Sequence, residues 1–176
     1  MHLRQWLYAG AISAIAIVFL INTGISQEQK PVKVEKSPSW VKYDKGLALA
    51  AKENKPIIID FYTNWCGWCK KMDKDTFAND SIAKYLVDKF ITVKVNAESN
   101  DMLVTAGGSI SERDLARSFG VRGYPTYFFL KPSGEKIYNV ASYFPPERFI
   151  TLLRYIGDDH YKTKTIQEYS KSLQSN

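Results

Sequence analysis

The chain has 176 residues, 45% of them hydrophobic and 24% charged, which is enough for one compact domain with its own core and too apolar for a disordered chain. Its 24 Lys and Arg against 18 Asp and Glu give a formal charge of +6. The lysines are scattered through every segment with acids between them, so the excess reads as solvated surface and nucleic acid is not an expected partner.

His2 and Arg4 precede an apolar run from Leu7 to Ile21, followed by Gly24-Ile25-Ser26 and by polar Gln27, Glu28 and Gln29. A basic flank, an apolar run and a small-residue site in that order predict a signal peptide over 1–26, cleaved after Ser26. The alternative is an uncleaved anchor, since a run stretched to Ile25 approaches the ~20 residues that span a bilayer, although Ser13, Asn22 and Thr23 weaken it. No cysteine follows the run to carry a thioether-linked lipid. Either outcome places the folded part in the periplasm or an equivalent extracytoplasmic space, where disulfides form and persist. Residues 27–39 carry Pro31 and Pro38 without an apolar period and read as a linker. A folded domain is expected over 40–157 and a C-terminal extension over 158–176.

Asp44 to Asn54 has the apolar spacing of a short amphipathic helix that stops before Pro56. Pro56 to Tyr62 is almost continuously apolar, as in a central strand covered on both faces, with Asp60 the exception. Thr63-Asn64-Trp65 then bends the chain into a helix from Cys66 to about Phe77, followed by a second from Ser81 to Lys89. Phe90 to Asn96 is the next strand, which implies a parallel pair. Ala97 to Ile110, with Gly107-Gly108, reads as a loop, and Ser111 caps a helix running to Phe119. Thr126 to Leu130 and Glu135 to Val140 flank the turn residues Lys131-Pro132-Ser133-Gly134 as an antiparallel hairpin. Pro145-Pro146 opens a last helix closed by Gly157, and Ile166, Tyr169 and Leu173 have the spacing of one more short helix. The fold class is α/β, a central mixed sheet flanked by helices.

Both cysteines of the chain sit in Cys66-Gly67-Trp68-Cys69. Zinc needs about four N or S ligands, and the only histidines are His2 and His160. Covalent haem needs His after the second cysteine, where Lys70 stands. No metal and no cofactor is therefore expected. A thiolate, not a thiol, attacks a disulfide, and a helix N-terminus with its unpaired N–H groups and dipole favours the anion. Cys66 lies at such an end, with Lys70 and Lys71 in the next turn, and is the expected nucleophile. Cys69, one turn on, is the expected resolving thiol and the more buried of the two; Gly67 relieves crowding between them. Two inert structural cysteines are the competing reading. The strand-to-helix junction, the flanking Trp65 and a separate Gly-Tyr-Pro segment weigh against it.

The runs Ile59-Asp60-Phe61-Tyr62-Thr63-Asn64-Trp65-Cys66-Gly67-Trp68-Cys69-Lys70, Lys94-Val95-Asn96 and Val121-Arg122-Gly123-Tyr124-Pro125-Thr126 resemble the thioredoxin superfamily. Within it the likeness is to thioredoxin, protein disulfide isomerase and, most of all, the C-terminal thioredoxin-like domain of the bacterial membrane thiol:disulfide interchange protein. It covers about residues 40–157. The resemblance implies a thioredoxin fold, a redox-active Cys66–Cys69 disulfide, a cis Pro125 facing the dithiol, and a Tyr124 backbone that pairs with substrate. It further implies that Asp60 is a buried acid relaying a proton to or from Cys69, with Lys94 as its partner. An outward-facing strand position remains open for Lys94, because register cannot be read from sequence. A carboxyl in an apolar strand is expected to have a raised pKa. Trp65, Gly67, Trp68, Tyr124 and Pro125 are the candidate substrate contacts, and Phe144 is a further aromatic for that surface. Departures from thioredoxin are Gly-Trp between the cysteines, no Pro in the following helix, and a stretch from Ala97 to Ser111 about a dozen residues longer than usual.

The expected function is thiol:disulfide exchange, as a reductase or disulfide carrier that takes electrons from a membrane-embedded donor and passes them to exported proteins with disulfides. The alternatives are a dithiol oxidase or isomerase, against which stands the lack of a His between the cysteines, and a redox-inert binding module, against which stands the retention of both cysteines.

Overall fold

The computed structural model describes residues 38–175; the predicted signal segment and the linker up to residue 37 lie outside the described residues. Ile57–Tyr62 (β1) lies at the centre of a four-stranded sheet of order β2-β1-β5-β6, formed with Ile91–Asn96 (β2), Thr126–Leu130 (β5) and Lys136–Val140 (β6). β1 and β2 run parallel in the register Ile57↔Ile91 through Tyr62↔Asn96, while β5 is antiparallel to β1 and β6 to β5. Between β1 and β2 the chain passes through Gly67–Lys71 (α2), a π-helical stretch Met72–Phe77 and Asp80–Lys89 (α3), which is the crossover a parallel pair requires.

Side chains alternate across a strand, so each face of β1 builds its own core. Ile58 joins Met72, Phe77, Ile82, Leu86, Tyr127, Phe129 and Phe149 beneath α3 and the helix Pro146–Gly157 (α5). Ile57, Ile59 and Phe61 join Val93, Val95, Leu115, Phe128 and Leu130 beneath the helices Tyr43–Glu53 (α1) and Glu112–Ser118 (α4). This double burial explains the unbroken apolar run of the strand.

The segment before α1 also belongs to the sheet. Val41 bridges Val93 in parallel, its N–H bonds Thr92 O at 3.0 Å, and its carbonyl accepts from the Lys94 N–H at 3.2 Å. At the other end, Ile166–Ser172 (α6) carries a capping box of Thr165 and Glu168 and buries Tyr169 against Tyr155 of α5 and stacked on His160, with ring centroids 5.8 and 4.4 Å away.

Two elements differ from the expectation. The stretch read as a loop contains a hairpin, Met102–Thr105 (β3) with Gly108–Ser111 (β4), in which Leu103 is buried while Met102 and Val104 face solvent. Gly108 sits at φ 106°, a left-handed conformation glycine adopts without strain, and the Thr105 hydroxyl donates to its carbonyl at 2.7 Å. The helix after the dithiol is not uniformly α: it widens to π geometry at Met72–Phe77, where the Thr76 hydroxyl donates to Phe144 O at 2.6 Å. No helix among the described residues is long and apolar enough to cross a membrane.

α1 approaches β2 closely at Gly46, where an added Cβ would lie 2.3 Å from Val93 Cγ2. Alanine gains about 1 kcal/mol of helix propensity over glycine, but overpacking a core costs about 1–3 kcal/mol, so the clash wins. Gly46→Ala is expected to lower stability by about 1–2 kcal/mol in denaturant unfolding, and a double-mutant cycle with Val93→Ala is expected to recover part of that loss.

Candidate redox site

β1 ends at Tyr62, and the turn that follows is held at two points. The Cys66 N–H bonds Thr63 O at 3.2 Å, and the Asn64 N–H bonds Glu98 Oε2 at 2.8 Å, so the segment entering the β3–β4 hairpin braces the turn. Cys66 is the N-cap of α2, with φ −68° and ψ 104°, and its sulfur accepts the Cys69 N–H at 3.0 Å. That donor is one of the unpaired amides of a helix start, the group that favours negative charge on sulfur. The two cysteines are joined in a disulfide with Cα atoms 5.3 Å apart.

Two expectations about this end of the helix need correction. Cys69 is not the more buried residue: Cys66 is 3% exposed and Cys69 4%. The exposed groups are instead their neighbours Trp65 and Trp68, at 68% and 57%. Lys71 does not lend a free charge, because its ammonium is engaged by Asp75 one turn on and lies 5.3 Å from the Tyr143 ring centre.

The Tyr124–Pro125 peptide is cis. A groove lined by Trp68, Gly123, Tyr124, Pro125, Ser142 and Tyr143 runs beside it. Trp65 packs edge-on to Tyr124 at 6.0 Å and Trp68 lies 5.3 Å from Tyr143, so aromatic pairs flank the motif. Phe144, expected on this surface, faces the core: its ring packs on Phe149 and its N–H meets Met72 Sδ at 3.3 Å. Tyr143 stands in its place. Gly67 has open space where a Cβ would be, which leaves the approach beside Cys66 clear.

Asp60 is 2% exposed, on the sheet face that packs against Met72 and Phe77 of the helical segment carrying Cys69. Burial penalises its charged form and pushes its pKa up to about 7, against the opposing pull of Lys94. The register pairs Asp60 with Lys94 on one side and Tyr127 on the other, so Lys94 points to the same face and not outward. Its Nζ lies 3.6 Å from Asp60 Oδ2 and donates to Asp73 Oδ1. Shared in this way, Lys94 only partly offsets the burial of Asp60, and the Asp73 carboxylate adds to the upward push. Burial also raises the Tyr127 phenol far above its ordinary value, and among the described residues neither its hydroxyl nor Asp60 Oδ1 has a hydrogen-bond partner. Asp73 and Tyr127 were not evident from sequence; spacing from the cysteine motif alone carries no sign of which residues meet Lys94. Among the described residues, no group of three or more His, Cys, Asp and Glu is placed to hold a metal ion.

The family model of the thioredoxin-like domain matches residues 43–157. The chain belongs to the thioredoxin-like family. A protein disulfide-isomerase of Hordeum vulgare is 35% identical over 86 residues, 49% of this chain and 14% of that protein. The thiol:disulfide interchange protein DsbD of Ralstonia nicotianae is 26% identical over 144 residues, 81% of this chain and 22% of that protein. The chain thus spans under a quarter of the length of either relative. A thioredoxin-fold protein from Helicobacter pylori superposes with a TM-score of 0.60 at 22% identity, covering 82% of this chain and 91% of the other, which shows the thioredoxin fold.

The titration of Asp60 has a stability consequence. Its folded pKa of about 7 lies above the unfolded value of 3.8, so the native state holds a proton that the unfolded chain releases, and stability falls as pH rises between the two. At 1.36 kcal/mol per unit, this group alone is expected to cost of order 3 kcal/mol between about pH 5 and pH 8. Urea unfolding of Asp60→Asn across that range is expected to lack this decline, leaving the variant more stable than wild type at the alkaline end.

Proposed function

We propose that this protein is an exported thiol:disulfide oxidoreductase that reduces or carries disulfides of exported proteins through Cys66 and Cys69. The observation that carries the reading is the Cys66–Cys69 disulfide at a helix start, with the Cys69 amide aimed at the Cys66 sulfur. The basic, apolar and small-residue order of 1–26 supports export, and likeness to a thiol:disulfide interchange protein supports a membrane-embedded electron donor.

In the cycle, the Cys66 thiolate attacks one sulfur of a substrate disulfide, forms a mixed disulfide and expels the other substrate sulfur as a thiolate. The substrate chain lies in the groove beside Pro125, along the side lined by Trp68 and Tyr143, with the Tyr124 backbone and the Trp65 ring at its edge. Cys69 then loses its proton to the Asp60 carboxylate and attacks the Cys66 sulfur. This forms the Cys66–Cys69 disulfide and releases the second substrate thiolate, so two electrons have passed to the substrate. A dithiol of the donor returns them by the same exchange in reverse. A carboxyl that titrates near neutrality is able both to take and to return that proton.

Cys69→Ser is expected to accumulate a mixed disulfide with an exported protein, visible on a non-reducing gel and lost with dithiothreitol, whereas Cys66→Ser accumulates none. Equal trapping by both would reverse the assigned roles, and trapping by neither would favour a redox-inert binding module. Asp60→Asn is expected to slow insulin reduction about 100-fold near neutral pH, the lower end of what a lost proton-transfer group costs, while leaving the first attack by Cys66 intact.

A further inference from the structure

Among the described residues, the one cation paired with Asp60 is Lys94, and three aromatic rings surround its ammonium. Nζ lies 5.1 Å from the Trp40 ring centre, 5.3 Å from that of Tyr62 and 6.0 Å from that of Phe77. The rings come from three different places in the chain: the segment before α1, the end of β1 and the end of the π-helical stretch. Trp40 in turn packs edge-on to Phe77, with ring centroids 4.9 Å apart. The Trp40 backbone is kept in place because its neighbour Val41 accepts the amide N–H of Lys94 itself. A lysine on a four-carbon stem has many rotamers, and its strongest pull here is outward, to Asp73, whose side chain is 46% exposed. Ring faces attract an ammonium and restrict it to one place.

We propose that Trp40, Tyr62 and Phe77 form an aromatic box that pins the Lys94 ammonium between Asp60 and Asp73, and that Trp40 is thereby a positioning residue for the proton-transfer step. The proposal rests on the reading of Asp60 as the proton relay for Cys69. The titratable groups set against Asp60 are Lys94 from β2, Asp73 from the π-helical stretch, the phenol of Tyr127 from β5 and that of Tyr62 at the end of β1. Lys94 alone among them favours the carboxylate. An ammonium released from the box follows Asp73 toward solvent, and the carboxylate of Asp60 loses its only counter-charge. The acid then holds its proton to higher pH and accepts the Cys69 proton less readily. The segment that leads into the domain is thus part of the redox site, although it lies far from the cysteines in sequence.

The test follows the Asp60 carboxyl directly, by carbon-13 NMR of the oxidised protein, where no thiol titrates. Trp40→Leu and Tyr62→Leu are each expected to raise its midpoint, by about one pH unit for Trp40, and Lys94→Gln by at least as much. Trp40→Phe, which keeps a ring face, is expected to return most of the shift. Should Trp40→Leu prove too unstable to titrate, Tyr62→Leu carries the comparison. A midpoint unmoved in Tyr62→Leu and in every folded Trp40 variant overturns the box, as does one unmoved in Lys94→Gln. The same variants are assayed for insulin reduction against pH. A carboxyl midpoint that moves while the turnover profile stays fixed leaves the box standing and removes Asp60 from the relay.

Discussion

A carboxyl placed in the middle of a strand that is covered on both faces is the constraint around which the central part of this molecule is arranged. Ionised and alone, Asp60 would lose its hydration with nothing to replace it, a cost of several kcal/mol. The structure contains that cost in two ways: the group keeps its proton up to about pH 7, and a single lysine stands close enough to take up the charge when the proton leaves. Both depend on strand register. Parallel pairing sets Lys94 beside Asp60, and a slip of one residue would turn the ammonium into the opposite, apolar face with Val93 and Val95.

The dithiol depends on the same strand. β1 delivers the chain to a sharp turn whose amides are tied to Thr63 and Glu98, so that the first cysteine becomes the cap of the helix and receives an amide on its sulfur. The helix returns over the Asp60 face and brings Met72, Asp73 and Phe77 to the acid's surroundings, Asp73 on Lys94 and Phe77 against Tyr127. One continuous helical segment, Gly67 to Phe77, thus carries both Cys69 and the residues that pack around Asp60 and Lys94. Since both cysteines are almost fully buried in the disulfide form, burial does not distinguish them, and what sets Cys66 apart is the helix amide directed at its sulfur.

Much of this arrangement was legible in the chain. The apolar run with one acid is readable as a doubly covered strand because burial on both faces removes the alternation that solvent would impose. The cysteine pair is readable as a helix start because it follows that strand through polar turn residues, and Ser111 is readable as a cap because its side chain has a backbone amide to satisfy three residues on. The β3–β4 hairpin was not legible: strands of four residues give too little alternation, and the sign that remained was the Gly107-Gly108 turn between two short apolar runs. Phe144 and Tyr143 were indistinguishable for the same kind of reason, since both are half-buried against one core and no periodicity tells which of the two rings also meets Trp68.

The sequence by itself determined the fold class, the order of the helices and of the strands of the central sheet, and the junction where the two sulfurs meet, because each follows from neighbouring residues and local periodicity. Only the tertiary structure decided what surrounds Asp60. Lys94 approaches from the next strand, Asp73 from a helix widened to π geometry, Tyr127 from the antiparallel neighbour, and Trp40 from the segment ahead of the first helix. Their meeting is set by register, helix geometry and packing over separations of up to 87 residues, from Trp40 to Tyr127. Electrostatics at a buried group depends on distance in space, and along the chain those residues are far apart.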